Sequence, residues 1–189
     1  MEELSQGLQI IKKRSSHLTD FVSSYRKLAE LPLPDKKETH LIQLIQNTLS
    51  LFKQEFEEKN IIIVFEPKIE PKIEPKIEPI LFLDRKQIEQ VFINLISNSL
   101  HAIKEKPKIV IKVEKLNNRI NITFSDNGVG IPDSIKGRVF VPYFTTRKNG
   151  SGIGLTLIKS IIESHGGSIF LKSNKEETMF VLSFVTETK

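Results

Sequence analysis

The chain has 189 residues, of which 39% are hydrophobic and 27% are charged, and this composition suits one soluble domain with a modest extension. It contains no cysteine, which excludes disulfide bonds, thiolate nucleophiles and cysteine-ligated zinc sites and favours a reducing, cytoplasmic location. Its net charge is +5, but lysines are scattered among acidic residues, so we expect no nucleic-acid binding. No apolar run approaches the roughly 20 residues of a membrane span, and the first residues lack the pattern of a secretory signal.

The first thirty residues carry apolar side chains at a spacing of three and four, which predicts one long amphipathic helix. These positions are Leu4, Leu8, Ile11, Leu18, Phe21, Val22, Tyr25 and Leu28. The stretch "LPLP" (31–34) ends this helix, because proline lacks an amide proton and disfavours helical geometry in the residue before it. We therefore divide the chain at 34. The apolar stripe requires a covering surface, either a helical partner or the chain's own second domain.

Residues 35–189 alternate between helical and strand patterns. The predicted elements are a helix from Glu38 to Phe52, strands at 61–67 and 80–84, a helix over 85–105, a hairpin over 108–126 that turns at Asn117 and Asn118, a helix ended by Gly166 and Gly167, and strands at 168–174 and 178–185. This order predicts an α+β fold, a two-layer sandwich with helices on one face of a mixed, largely antiparallel sheet.

A tetrapeptide repeat, "EPKIEPKIEPKIEPI" (66–80), interrupts this pattern. Its regularly spaced prolines exclude a helix or a central strand, so we expect an exposed, polyproline-like loop between two strands. The loop is either a docking segment or, more simply, a loop lengthened by repeat expansion.

Asp126 follows a predicted strand in "SDNGVGIP" (125–132), with Gly128 and Gly130 close behind it. Glycine lets the backbone approach a flat ligand closely, and the Asp126 carboxylate could then accept a hydrogen bond from an exocyclic amine. The alternative is an ordinary Asp-Asn-Gly turn.

Gly150, Gly152 and Gly154 lead into a predicted helix in "NGSGIGLTLIKS" (149–160). The first amide protons of such a helix and its dipole together favour an anion such as phosphate. The alternative is a flexible loop.

Asn94 and Asn98 lie one helical turn apart in "NLISNSLHA" (94–102). Amide oxygens are suitable ligands for a magnesium ion that also binds water and phosphate oxygens, although a buried asparagine pair can be purely structural. The three motifs occur in one chain, which favours a shared nucleotide site over coincidence.

With these motifs in this order, residues 38–186 resemble the catalytic, ATP-binding domain of bacterial sensor histidine kinases. "NLISNS", "DNGVGIP", "VFVPYFTTR" (139–147) and "GSGIGL" are similar to the N, G1, F and G2 boxes of that family. The resemblance implies ATP and Mg²⁺ as ligands. It implies that Asn98 coordinates magnesium, that Asn94 supports the phosphates and that Asp126 binds the adenine amino group.

The resemblance further implies that Phe140, Pro142 and Phe144 anchor a mobile lid and that Arg147 contacts the triphosphate. The nucleotide-binding residues that it implies are Asn94, Asn98, His101, Asp126, Gly128, Gly130, Phe140, Thr145, Thr146, Arg147, Gly150, Gly152, Gly154, Leu155 and Thr178. The chain departs from the family at two points. His101 stands where a lysine is common, and "KEETMF" around Thr178 lacks the usual glycines.

The same fold serves DNA gyrase B, MutL and a heat-shock chaperone, which resemble one another in a glutamate one turn before the magnesium asparagine. That glutamate is a general base for water, and Asn94 stands in its place here. An amide cannot take a proton from water, so the resemblance implies phosphoryl transfer from Mg-ATP to a protein side chain. The alternatives are a serine kinase of the anti-sigma type and a non-catalytic nucleotide-binding scaffold.

Histidine kinases carry the acceptor histidine on the first helix of a dimeric hairpin. Only one predicted helix precedes the nucleotide domain, and His17 lacks the neighbouring acid and nearby proline of the acceptor motif. We therefore interpret residues 1–34 as the second helix of the hairpin, with the acceptor outside this sequence and His17 a bystander. The implied partners are ATP or ADP, the acceptor helix, a second copy of the full-length protein and a cognate response regulator. The implied location is cytoplasmic, whether or not the sensor is anchored in a membrane.

Overall fold

The computed structural model describes residues 15, 19, 22, 26, 30–68, 79–102, 105–147 and 150–186. The strands are β1 (Lys37–His40), β2 (Ile62–Lys68), β3 (Ile80–Leu83), β4 (Lys108–Leu116), β5 (Arg119–Asp126), β6 (Ser168–Ser173) and β7 (Thr178–Val185). The helices within 30–186 are α1 (Leu41–Leu51), α2 (Lys53–Glu58), α3 (Arg85–Ala102), α4 (Asp133–Lys136) and α5 (Gly154–Ser164). In the described part of the chain no helix is long and apolar enough to span a membrane.

Five strands form the main sheet in the order β2-β4-β5-β7-β6. β2 and β4 are parallel, and every other neighbouring pair is antiparallel. Burial alternates along β4, where Ile109, Ile111 and Val113 are buried while the residues between them are partly exposed, so one face of the sheet is covered. The side chains of α1, α3 and α5 complete the core on that face. The predicted two-layer sandwich with a mixed, largely antiparallel sheet is confirmed.

The helix predicted from Glu38 is wrong in its first turn, because residues 37–40 form β1 and α1 begins at Leu41. β1 pairs antiparallel with β3 in a separate two-stranded sheet. Thr39 is buried there, and its hydroxyl donates a hydrogen bond to the Leu83 carbonyl oxygen at 3.1 Å. A strand partner more than forty residues away thus overrides the local helical pattern.

Several other boundaries differ from the predictions. The helix predicted from Glu38 to Phe52 ends at Leu51, with Phe52 between α1 and α2. The helix predicted over 85–105 is α3, described over Arg85–Ala102; residues 103 and 104 lie outside the described part of the chain, and residue 105 is not helical. β2 continues through Pro67, which its position at the edge of the sheet allows. The short helices α2 and α4 were not predicted.

The end of α5 follows its prediction. Gly166 has a φ of +75°, and the amides of Gly166 and Gly167 donate to the carbonyl oxygens of Glu163 and Ile162. This pair of bonds is a Schellman motif, which closes the helix.

Part of the N-terminal prediction lies outside the described residues, as do His17 and residues 69–78 of the repeat. Ser15, Thr19, Val22 and Arg26 are helical, and the Thr19 hydroxyl donates to the Ser15 carbonyl oxygen at 3.0 Å. The division of the chain at 34 stays a prediction.

Candidate functional site

Helix α3 carries the two asparagines that were predicted to be site residues. Asn94 is half-buried, and its Nδ2 atom is buried without a hydrogen-bond partner among the described residues. Asn98 is half-buried, and its Oδ1 atom accepts a hydrogen bond from the guanidinium of Arg147. A buried amide donor without a partner costs free energy, which an incoming acceptor such as a phosphate oxygen would recover.

His101 is exposed near the end of α3, and its Nδ1 atom lies 2.5 Å from the carbonyl oxygen of Ser97. This ring nitrogen is therefore engaged with its own helix. The predicted phosphate contact of His101 stays a prediction.

Asp126 ends β5 and is only 7% exposed. Its Oδ2 atom accepts a hydrogen bond from the Ser99 hydroxyl at 2.7 Å, and its Oδ1 atom accepts one from the Gly128 amide at 3.0 Å. Burial raises the pKa of Asp126, and these two hydrogen bonds oppose that rise because they stabilise the ionised form. The carboxylate is thus held in one orientation at the edge of the site.

Gly128 and Gly130 leave no room for a side chain. A Cβ atom on Gly128 would lie 2.5 Å from the Ala102 carbonyl oxygen, which also accepts a hydrogen bond from the Val129 amide. Gly130 has a φ of +70°, and its Cβ atom would lie 1.7 Å from the carbonyl oxygen of Asn174. The glycines therefore let this loop lie directly against the end of α3 and the turn between β6 and β7.

Thr178 is brought beside Asp126, because the two residues are register partners in β5 and β7. Thr178 is buried, and its Oγ1 atom lies 3.4 Å from the Ser173 hydroxyl. The predicted nucleotide contact of Thr178 stays a prediction.

The lid segment (139–147) is fixed by its phenylalanines. Phe140 packs edge to face on Phe180 with ring centroids 6.4 Å apart, and its carbonyl oxygen accepts a hydrogen bond from the Thr156 hydroxyl at 3.1 Å. The guanidinium carbon of Arg138 lies 4.4 Å from the Phe144 ring centroid. The Phe140 contacts tie this segment to the sheet and to α5, and the lid roles of Phe140, Pro142 and Phe144 stay predictions.

The exposed end of the lid segment is close to the glycine-rich turn. The Thr145 hydroxyl oxygen accepts a hydrogen bond from the Arg147 amide at 3.0 Å, and a Cβ atom on Gly150 would lie 2.4 Å from that oxygen. Thr146 is exposed. Gly152 has a φ of +69°, and its carbonyl oxygen accepts a hydrogen bond from the Tyr143 amide at 3.0 Å.

Gly154 begins α5, and a Cβ atom there would meet nothing within 4 Å. The N-cap residue, Ile153, makes no side-chain hydrogen bond to the first turn of this helix, and its first amide protons therefore suit an anion. Leu155 is half-buried against the core. The structure therefore brings an uncapped helix start together with a lid segment.

Ser99 is the site residue that the sequence did not reveal. It follows Asn98, is buried, and its hydroxyl orients Asp126 across 27 residues of sequence. Among the described residues no group of three or more His, Asp or Glu side chains could hold a metal ion. A cation here would bind the Asn98 amide oxygen together with oxygens of a ligand, which is the coordination that Mg²⁺ prefers with phosphates.

The family model described as "Histidine kinase-, DNA gyrase B-, and HSP90-like ATPase" matches residues 83–188. The sensor histidine kinase ZraS of Salmonella typhi is 32% identical over 167 residues, which cover 87% of this chain and 34% of that protein. The alginate biosynthesis sensor protein KinB of Pseudomonas aeruginosa is 43% identical over 93 residues, 48% of this chain and 16% of that protein. The chain thus spans about a third or less of these curated relatives.

Solved structures are also similar to most of the chain. The catalytic domain of histidine kinase ThkA has a TM-score of 0.70 and 30% identity, with 80% of this chain and 96% of that one covered. A structure of ThkA in complex with the response regulator protein TrrA has a TM-score of 0.76 and 27% identity, with 97% of this chain and 52% of that one covered.

Proposed function

This chain belongs to the family of histidine kinase-, DNA gyrase B- and HSP90-like ATPases, as a catalytic ATP-binding domain of the sensor histidine kinase type, and we propose that it transfers the γ-phosphoryl group of Mg-ATP to a histidine outside this sequence. In that reaction a bond forms between an imidazole nitrogen and phosphorus, the bond from phosphorus to the ADP oxygen breaks, and the imidazole loses a proton. ADP is the leaving group.

The asparagine at position 94 is the observation that favours phosphoryl transfer over ATP hydrolysis. Its amide group cannot accept a proton from water, so the position cannot serve as the general base of an ATPase. Its Nδ2 atom instead offers a hydrogen bond that no described residue accepts. This donor suits a phosphate oxygen.

The other residues bind and orient the nucleotide. Asp126, held by Ser99 and Gly128, accepts a hydrogen bond from the adenine amino group. The start of α5 and the lid segment face the phosphates, where Arg147 adds positive charge. Mg²⁺ would be held by the Asn98 amide oxygen and would neutralise phosphate charge.

The N-terminal residues bear on the protein partners of the proposed phosphoryl transfer. We propose that 1–34 is the second helix of a dimerisation hairpin, that a preceding helix supplies the acceptor, and that a cognate response regulator receives the phosphoryl group. The helical state of Ser15, Thr19, Val22 and Arg26 supports this, as does the ThkA structure with its response regulator. Dimerisation belongs to the full-length protein.

Two measurements on this chain test the proposal. Titration with a fluorescent ADP should show saturable binding that is tighter with Mg²⁺ than without it. Incubation with ATP labelled in the γ-phosphoryl group should leave this chain unlabelled but label a separately supplied acceptor hairpin.

The chemistry of the label separates the alternatives. Phosphohistidine is lost in acid, whereas the phosphoserine of a serine kinase survives it. Binding without any transfer would indicate a scaffold module. Label on this chain that disappears in His17→Gln would show that His17 is the acceptor after all.

A further inference from the structure

Asn98 and Arg147 form a contact that the proposed transfer does not require. The Oδ1 atom of Asn98, the oxygen suited to a magnesium ion, accepts a hydrogen bond from the Arg147 guanidinium across 49 residues of sequence. The Asn98 Oδ1 atom thus has a positively charged group beside it.

Backbone hydrogen bonds on both sides of Arg147 fix its position near Asn98. The Arg147 amide donates to the Thr145 hydroxyl oxygen at 3.0 Å, and the Arg147 carbonyl oxygen accepts from the Gly150 amide at 3.3 Å. A Cβ atom on Gly150 would lie 3.2 Å from the Cβ atom of Arg147, so these two residues lie close together. Partial burial lowers the pKa of Arg147, but a guanidinium stays protonated at neutral pH.

We propose that Arg147 is a substitute cation, which occupies the metal-binding oxygen of Asn98 and lets the site bind a nucleoside diphosphate without Mg²⁺. This inference rests on the proposed function, since it takes the phosphates to lie between Asn94, Asn98 and the start of α5. A guanidinium is planar and can donate several hydrogen bonds to phosphate oxygens. It can therefore neutralise phosphate charge when no metal ion is bound.

The arginine and the metal ion then compete. A guanidinium and a divalent cation repel each other and cannot both hold the Asn98 Oδ1 atom. Mg²⁺ binding therefore releases Arg147 from Asn98, and the two cations are negatively coupled through the same nucleotide. Such coupling is reciprocal and can be measured from either side.

The test compares ADP affinity with EDTA and with saturating MgCl₂ at constant ionic strength, by calorimetry, for the wild type and Arg147→Gln. Without Mg²⁺, Arg147→Gln should bind ADP about tenfold more weakly than the wild type. With Mg²⁺ the loss should stay below about threefold. Losses of tenfold and threefold would correspond to a coupling of about 0.7 kcal/mol, and a smaller loss with Mg²⁺ to a larger coupling, up to about 1.4 kcal/mol for a tenfold difference.

Two further variants control for charge. Arg147→Lys keeps the charge but not the planar donor and should lie between the wild type and Arg147→Gln. Lys112→Gln removes one positive charge from the uncovered face of the sheet, where Lys112 lies 3.7 Å from Glu66, and should leave both affinities unchanged. Thermal unfolding of each variant checks that the fold is retained.

Equal losses in EDTA and MgCl₂ would make Arg147 a phosphate contact only and would overturn the substitute role. Unchanged affinities would overturn it as well. If the wild type bound no ADP under either condition, the proposed function itself would fail, and this outcome differs from both of the others.

Discussion

Polar groups beside α3 and α5 differ between two regions: the region of Asp84 and His165, where α3 begins and α5 ends, and the candidate site, where α5 begins. At the start of α3, the Asp84 Oδ1 atom accepts hydrogen bonds from the amides of Lys86 and Gln87 at 3.0 and 3.2 Å. Its Oδ2 atom accepts one from the Asp35 amide at 3.0 Å, and the Asp84 amide donates to His165 Nε2 at 2.9 Å. At the candidate site, the Asn94 Nδ2 atom has no partner among the described residues, and Ile153 provides no side-chain cap at the start of α5.

The difference teaches how to separate structural from functional polar groups. Asp84 and His165, which we call the linker cluster, find their partners inside the chain and fasten residues near Asp35 to the domain. The Gln87 side chain adds a bond to the Pro32 carbonyl oxygen at 2.9 Å, although its Oε1 atom has no partner among the described residues. Polar groups at the candidate site are prepared for a partner from outside. Changes at the linker cluster should therefore alter stability, and changes at the candidate site should alter binding.

The largest expected effect is on binding. Asp126→Asn should weaken ADP binding by about 2 to 3 kcal/mol, because it replaces a charged acceptor of the adenine amine with an amide. Stability should hold, since burial already disfavours the ionised carboxylate, whose pKa is raised. Calorimetry of ADP binding and thermal unfolding measure the two quantities. An unchanged ADP affinity would refute the adenine contact.

The fold was predictable wherever the pattern is local. The apolar periodicity of α3 identified its buried residues, among them Ile88, Phe92 and Ile96, because a helix on a sheet repeats its contacts every three or four residues. β1 was missed because its partner, β3, lies on the far side of the repeat. A pairing so distant leaves no local pattern.

The candidate site divides in the same way. Its glycines, asparagines and Asp126 were found by their spacing, and the resemblance supplied their roles. Ser99 was missed because a single serine in a helix forms no sequence pattern. Its role depends on the hydrogen bond that it donates to Asp126 on another element. The bond between Asp84 and His165 spans 81 residues and was invisible for the same reason.

The next effect concerns the linker cluster. Asp84→Ala should destabilise the fold by about 2 kcal/mol, because it removes the N-cap of α3 and the acceptor for the Asp35 amide. ADP affinity should change less than twofold. Urea unfolding followed by circular dichroism measures the first quantity and calorimetry the second.

Asp84→Asn is the matched control, because it keeps an oxygen that can cap the helix. It should retain more than half of the stability that Asp84→Ala loses. The contrast between the two regions would collapse if Asp84→Ala weakened ADP binding as much as Asp126→Asn while leaving stability intact.

A smaller effect depends on pH. His165 Nε2 accepts the Asp84 amide proton and Nδ1 donates to the Ile161 carbonyl oxygen at 2.7 Å, so the ring is neutral. Burial lowers the pKa of His165, and the positive charge of Lys36 lowers it further. The hydrogen bond to the Ile161 carbonyl oxygen and the negative charge of Asp84 oppose this shift but do not cancel it. The unfolded chain therefore takes up this proton first as the pH falls. The stability contribution is full above about pH 6.5, the ordinary value, and is lost below it.

Unfolding of the wild type and His165→Gln across pH 5 to 8 measures this contribution. The difference between their free energies of unfolding should shrink as the pH falls, with a slope below about 1.4 kcal/mol per pH unit, the limit for one proton. Parallel curves for the two proteins would show that His165 does not titrate in this range. ADP affinity at pH 8 should be the same in both.

The smallest effect is expected at Gly154, although it begins the helix that we propose binds the phosphates. A Cβ atom there meets nothing within 4 Å, and alanine keeps the amide proton, so Gly154→Ala should change stability by less than about 0.5 kcal/mol. ADP affinity should fall less than threefold. Gly152→Ala is the contrasting variant, because Gly152 has a φ of +69° and its Cβ atom would lie 2.4 Å from the Tyr143 carbonyl carbon. If Gly154→Ala instead abolished ADP binding, the phosphates would have to lie against the Cα atom of Gly154. Close steric fit at Gly154, rather than hydrogen bonds from the backbone amides, would then determine phosphate binding.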